Sequence, residues 1–457
     1  MTEVQDMARF VAGAAFDDLS DEAVAQLKIR VLDTLGVAIG ALDAEPIVAI
    51  RALIDDLGGA PTSTLIGGGR TSPERAAFFN SALSRYLDFM DSYLAPGETN
   101  HPSDNLGAVL ATAESVNASG RELLTALAVA YQVHSRLSDV APVRAKGFDH
   151  TTQGAYAAAA AAAKALRLPT EQIANAMAIS GTANNALRVT RTGNLSHWKG
   201  LAYPQVSKEG TFAALLASRG ITGPEEVFEG NKGFKESIAG DFTIDWSRED
   251  LERVRRSIIK RHNAEIHSQS ALDAAQDIRS QAGFDTDAIT AVRLRTFDVA
   301  HAIIGGGEEG DKRTIRTKEE ADHSLPWMIA VVLLDGELEP AQYAPERIIA
   351  QDVQQLMGKV DITPDEGFSA RFPEEMPADL QVTLRDGTVL GAERSAYKGF
   401  HTDPLDWAGA RAKFDSLTRP FIDSRAREEI AEIVRHLDTA NTTDLTAALA
   451  EVGTDRS

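Results

Sequence analysis

The chain has 457 residues, 43% hydrophobic and 25% charged, with a formal charge of −21 and no cysteine. That length exceeds one compact core, so two domains are expected, and the ordinary composition excludes general disorder. The acidity, with no dense Lys/Arg cluster, argues against nucleic acid as a partner, and the lack of cysteine excludes disulfides, thiol nucleophiles, zinc–thiolate sites and cysteine-ligated iron–sulfur clusters. The first residues, MTEVQDMARFVAG, do not read as a signal peptide, and the alanine-rich run 155–165 carries Lys164 and is too short and weakly apolar for a membrane span. A soluble, cytoplasmic protein is expected.

In chain order, residues 19–42 read as a helix with Ser20 as N-cap and Asp21 and Glu22 in the first turn. A second helix covers 46–57. Gly67-Gly68-Gly69 lacks the strand and Gly-Lys-Thr context of a phosphate loop and reads as a turn. Ser72-Pro73-Glu74 starts a helix expected to run from 75 to about 90, and Asp88 and Ser92 would share a face if it persists. Next comes the polar stretch YLDFMDSYLAPGETNHPSDN, residues 86–105, with four acids (Asp88, Asp91, Glu98, Asp104), His101 and Ser92 and Ser103 around a Pro96-Gly97 break. By composition it is either a solvated loop or a site. Helices follow at 106–116, capped by Ser103 or Asp104, at 119–137, at 153–166, and from Thr170 to about 186. Residues 188–203 look irregular, 207–219 helical, 224–234 a short helix and loop, and 248–259 amphipathic.

Beyond a helix at 271–281 the pattern changes. Residues 288–297 alternate as a strand, 323–334 form an apolar helix, 345–357 are helical, 360–362 are a short strand, and 380–390 are a hairpin turning at Asp386-Gly387. From 406 the pattern is helical again. The expectation is a mainly α protein: a large, discontinuous all-α helical bundle domain at 1–269, a smaller α+β lid domain at 270–400, and a helical tail at 401–457 packing back on the first domain.

Five places carry groups suited to removing a proton beside a carboxylate, which needs a base, and cations for the dianion that forms. They are Asp88, His101, His150, Lys199 and Lys260. LDFMDSYLA followed by HPSDNLGAVLATAE, then GFDH, WKG, the lysine ahead of AEIHSQSALDAA, and ADHSLPWMIAVVLLDG together resemble the 2-methylcitrate dehydratase (MmgE/PrpD) family over nearly the whole chain. The resemblance implies a helical domain with an α+β lid, the site between them, a homodimer, a small polycarboxylate substrate, and neither metal nor organic cofactor.

It also implies roles. Asp88 would orient a neighbouring base, His101 would be the general acid or base, and His150 would contact substrate or move a proton. Lys199 and Lys260 would clamp carboxylates, and one could serve as base. Ser92, which stands where many members have threonine, Ser103, Glu265, His267 and Gln269 would bind substrate or support the site, and Arg313 would be a carboxylate clamp from the lid. Trp327 stands where many members carry a tyrosine, which would weaken proton donation there. The leading activity is a hydro-lyase of the 2-methylcitrate dehydratase type. The alternatives are an iminodisuccinate-type epimerase, which Trp327 would hurt least, a cis-aconitate-type decarboxylase, and a non-catalytic binding protein on the same scaffold.

Overall fold

A computed structural model describes residues 1–453. The fold is mainly α, with a small α+β part. The chain divides into two compact units: Met1–Thr190, Gly200–Ser257 and Leu405–Ser457 form the first, and Arg191–Lys199 with Ile258–Pro404 form the second. The boundary thus falls at Ser257/Ile258, earlier than residue 269, and the short Arg191–Lys199 segment clusters with the second unit. No helix among the described residues is long and apolar enough to cross a membrane.

The first unit is helical. Ser20 caps Asp21–Ile39, its hydroxyl accepting from the Ala23 amide. Thr151–Ala165 lies buried between Gly120–Val140 and Thr170–Ala183, and its alanines allow close approach on every side. Gly154 is part of the same fit, since a Cβ there would sit 2.5 Å from the Tyr203 ring. Trp407–Thr418, the first helix of the tail, packs along Asp21–Ile39. Its Lys413 bonds the buried Asp33 carboxylate at 2.8 Å and the Phe89 carbonyl at 2.7 Å. Gly67, Gly68 and Gly69 all have positive φ and turn the chain between Ser63–Thr64 and Arg70–Thr71, as a turn rather than a phosphate loop.

Three expectations change here. The helix starting at Pro73 stops at Tyr86, because Asp88 adopts φ 55°, a left-handed conformation that aspartate tolerates better than most residues. Asp88 and Ser92 therefore do not share a helical face. The helix expected at 207–219 begins at Trp198 and runs through Pro204 to Ser218. The amphipathic stretch 248–259 forms no long element and lies around two short 3-10 turns, Trp246–Arg248 and Arg253–Arg256. Arg253 is drawn into side-chain bonds to Tyr93 and Asp139.

The second unit holds a four-stranded sheet in the order Val360–Pro364, Ile289–Thr296, Ala378–Leu384, Val389–Arg394. The first pair is parallel and the others antiparallel. Gly387 in the Asp-Gly turn takes φ 91°. Gln269–Arg279 packs on the two hairpin strands and Leu325–Asp335 on Val360–Pro364, with every residue from Leu325 to Leu333 buried. Each such aliphatic side chain contributes roughly 1.5–3 kcal/mol by leaving water.

Candidate active site

The polar stretch at 86–105 is a built element. Tyr93–Ala95 pairs antiparallel with Glu98–Asn100 across the Pro96-Gly97 turn, and Pro102–Asn105 makes a 3-10 turn into the helix Leu106–Ser115. Asp91 clasps the two ends. Its Oδ1 accepts from the Ser103 amide at 3.1 Å, its Oδ2 accepts from the Tyr131 hydroxyl at 2.8 Å, and its carbonyl lies 2.8 Å from His101 Nδ1. A carbonyl can only accept, so Nδ1 carries the proton and Nε2 is the basic nitrogen of the neutral ring. Ser92 Oγ sits 3.0 Å from the same Nδ1. Burial, then the Asp91 charge, holds the Tyr131 phenol well above its ordinary pKa, so it remains a donor. Arg85 bonds Asp88 Oδ1 at 2.8 Å and lies 3.8 Å from Asp104, tying the helix end to the turn. The Ser103 hydroxyl is buried without a hydrogen-bond partner among the described residues.

His150 is brought to the same place. Its ring is 5.4 Å from that of His101, edge to face, and stacks on His134 and Tyr203 at 6.1 and 6.0 Å. Its Nδ1 lies 3.1 Å from Asp149 Oδ1. Burial and then the nearby His150 charge push His134 down to about 3, so His134 is neutral. The first unit therefore assembles Ser92, His101, Ser103 and His150, with Asp88 held alongside through Arg85.

The second unit gathers cations. Lys199 Nζ is 2.6 Å from Asp322 Oδ1 and 2.9 Å from His323 Nδ1, while Lys318 takes the other Asp322 oxygen at 2.9 Å. Burial would raise the Asp322 pKa, but the charges of Lys199 and Lys318 and the His323 hydrogen bond hold it well below the carboxylate range. Glu265 accepts from the His267 amide at 2.8 Å and from His267 Nδ1 at 2.7 Å. Burial opposes its ionisation, yet His267, His323 and Lys260 together pull it to about 2. His267 Nε2 is buried with no partner among the described residues. Lys260 is buried beside the Ile259–Gly399 backbone bond of 2.9 Å, and a Cβ on Gly399 would strike the Ile259 carbonyl at 2.3 Å. Gln269 has a scaffolding place: its carbonyl accepts from the Arg261 and His262 amides and its NH2 donates to the His262 carbonyl.

Two expected residues lie elsewhere. Arg313 is exposed and donates to the Met357 and Val360 carbonyls, at 3.0 and 2.5 Å, so it braces the sheet edge and is not a free clamp. Trp327 is wholly buried in the core of the second unit, its ring tilted against Tyr343 at 5.2 Å and its indole donating to the Ile348 carbonyl. The buried cation near Arg313 is Lys312. Together with His323 and Glu309 it lines a cavity of about 130 Å³. Burial, helped by the Lys199 charge, lowers its pKa against the pull of Glu309, Glu265 and Asp322. Asp322 and His323 stand in the ADHSLPW run already singled out, Asp91 in the acidic stretch, and Asp149 in GFDH. Position in those motifs was the available signal.

Residues 5–247 match the MmgE/PrpD N-terminal domain and residues 262–439 the MmgE/PrpD C-terminal domain. The chain belongs to the MmgE/PrpD family. It is 30% identical to the 2-methylcitrate dehydratase of Escherichia coli K12, over 78% of this chain and 77% of that protein. It is 29% identical to the 2-methylcitrate dehydratase of Cupriavidus necator, over 79% and 78%. The cis-aconitate decarboxylase of Mus musculus is 24% identical over 95% of this chain and 90% of that one. These relatives make it a family of dehydratases and decarboxylases, a lyase family.

Proposed function

We propose that the chain is a cofactor-independent hydro-lyase that removes water from a small hydroxy tricarboxylate of the 2-methylcitrate type, working as a homodimer in the cytoplasm. The observation that carries the reading is the histidine pair. His101, oriented through the Asp91 carbonyl and Ser92, stands 5.4 Å from His150, so two groups suited to proton transfer lie side by side. Buried Lys199, Lys260 and Lys312 are the groups suited to carboxylates and to the charge that develops next to them. In the first unit the buried Ser103 hydroxyl, without a hydrogen-bond partner among the described residues, is a polar atom that a bound carboxylate would satisfy. The names of the relatives support dehydration over the alternatives. Trp327, one of the departures from the family pattern that favoured an epimerase, belongs to the core.

The test is turnover of 2-methylcitrate and citrate in heavy water, followed by ultraviolet absorbance, carbon dioxide release and mass spectrometry, with and without a chelator. A rising conjugated-alkene signal that the chelator leaves unchanged is expected. Deuterium uptake without loss of water would make the enzyme an epimerase, and gas release a decarboxylase. Tight binding without any turnover would leave a binding protein.

A further inference from the structure

The two histidines of the pair have different partners. The Nδ1–H of His101 points to a neutral main-chain carbonyl, that of Asp91, at 2.8 Å. His150 Nδ1 faces a carboxylate, Asp149 Oδ1, at 3.1 Å. A carboxylate favours the imidazolium far more than a carbonyl does. We propose that Asp149 is a positioning residue that makes His150 the proton donor of the pair and leaves His101 as the base. The inference deepens the hydro-lyase reading and rests on it.

Asp149 is wholly buried and its place is fixed by the backbone. Its amide donates to the Ala186 carbonyl at 2.9 Å, and the Arg188 amide donates to the Gly147 carbonyl at 2.8 Å. Its Oδ1 also accepts from the Thr151 amide at 3.2 Å. The charged and titratable neighbours support the assignment. Arg188 approaches the other carboxylate oxygen at 3.8 Å, farther than His150, and places a second cation on that side. His134, from Gly120–Val140, is neutral, and Tyr203, from Trp198–Ser218, is held protonated by burial and then by the Asp104 charge. Glu98, on the hairpin, is near the Arg188 charge. His101 packs edge-on, and the two rings cannot both carry a charge cheaply at 5.4 Å, so the carboxylate decides which one does.

The step balances. His101 Nε2 takes the proton from the carbon next to a carboxylate, and the C–H electron pair becomes the new double bond. The C–O bond breaks towards oxygen, and His150 gives its proton to the departing hydroxide, which leaves as water. Between turnovers His101 releases one proton and His150 regains one, with no net change.

A donor must be protonated, so His150 sets the basic limb of the kcat profile and His101 the acidic limb. In Asp149→Asn the basic limb is expected to move to lower pH by about one unit, with kcat at neutral pH down about 10-fold and KM changed less than about 3-fold. The acidic limb stays. Histidine-selective ¹⁵N NMR, with the two signals identified by His101→Gln and His150→Gln, should show His150 of the unmodified enzyme keeping its proton to higher pH than His101. A shift of the acidic limb, a uniform loss with both limbs in place, or His101 titrating above His150 would overturn the assignment. If Asp149→Asn does not fold, the titration order in the unmodified enzyme decides. Absence of turnover on any hydroxy tricarboxylate would sink the hydro-lyase reading alone, and the NMR order would still judge the pairing.

Discussion

The candidate residues of the two units are held in place by different forces. In the first unit His101 itself is held by two groups without charge, the Asp91 carbonyl and the Ser92 hydroxyl, and the Asp91 carboxylate is met by neutral donors, an amide and a tyrosine hydroxyl. In the second unit, one carboxylate, Asp322, serves Lys199, Lys318 and His323 within 2.9 Å, and a second, Glu265, serves His267. The first arrangement is set by direction and varies little with pH or salt. The second is set by charge and fails when the charge is removed. The buried acids of the two units respond to pH with opposite sign. Asp322 and Glu265 are shifted down, so they contribute stability at neutral pH that is lost as pH falls below about 4 towards their folded values. Asp33 and Glu98 are shifted up, chiefly by burial, so protonating them on acidification relieves a cost.

The largest effect should come from breaking the charge-held arrangement at its centre. Asp322→Asn leaves Lys199 and Lys318 buried or nearly so without their shared counter-charge. Removing one partner of such a buried group costs about 3–5 kcal/mol. Denaturant unfolding monitored by hydrogen exchange should show the loss concentrated in residues 258–404 and activity gone. In the unmodified protein, acidification from about pH 4 to about 2 should strip protection from the same residues first, since that is where these carboxylates lose their contribution. If residues 106–165 lost protection first, the contrast between the units would be wrong.

A smaller loss is expected from the direction-held arrangement. Asp91→Ala removes the acceptor of the Ser103 amide and of the Tyr131 hydroxyl. Buried donors left unpaired cost about 1–3 kcal/mol each, part of which Tyr131 can recover by rotating its hydroxyl. The more telling readout is kinetic. The main-chain carbonyl and Ser92 hydroxyl that hold His101 remain, but the turn that carries them loses its clasp, so kcat should fall by about 10-fold while added salt changes the residual rate little. A strongly salt-dependent residual rate would mean that charge, and not geometry, dominates there.

What was legible in the chain follows the same division. Periodicity was enough for the strand Ile289–Thr296, the Asp-Gly hairpin and the buried alanine helix, because each is long and regular. The hairpin at Tyr93–Asn100 was not legible, since strands of three residues show no period. The helix end at Tyr86 was hidden because Leu87, Phe89 and Met90 continue the apolar pattern, and only the backbone of Asp88 breaks it. Motif order brought His101, His150, Lys199 and Lys260 to attention, and the structure puts each among other polar and charged side chains. Within the motifs, however, adjacent residues could not be told apart. In ADHSLPW the indole drew notice while Asp322 and His323 hold Lys199. Which of two neighbours faces inward depends on the turn that presents them, and composition carries no record of that.

Lys312 and Arg313 are the sharpest case of such a pair, and they should give the smallest structural effect and the cleanest separation. Both are cations on one loop, but Lys312 is buried among Glu309, Lys199, Glu265 and Asp322, while Arg313 points out and caps two carbonyls. Water can replace an exposed guanidinium at a carbonyl, so Arg313→Ala should cost no more than about 1 kcal/mol and leave kcat and KM as they were. Lys312→Met keeps the buried stem and removes only the charge, so stability should again change by about 1 kcal/mol or less. A cation that meets a substrate carboxylate in both ground and transition states mainly sets KM, and its removal should raise KM by about 10-fold with kcat within about 3-fold. Steady-state kinetics on the two single variants decides the matter. A KM effect in Arg313→Ala with none in Lys312→Met would reverse the roles and return the clamp to the exposed residue.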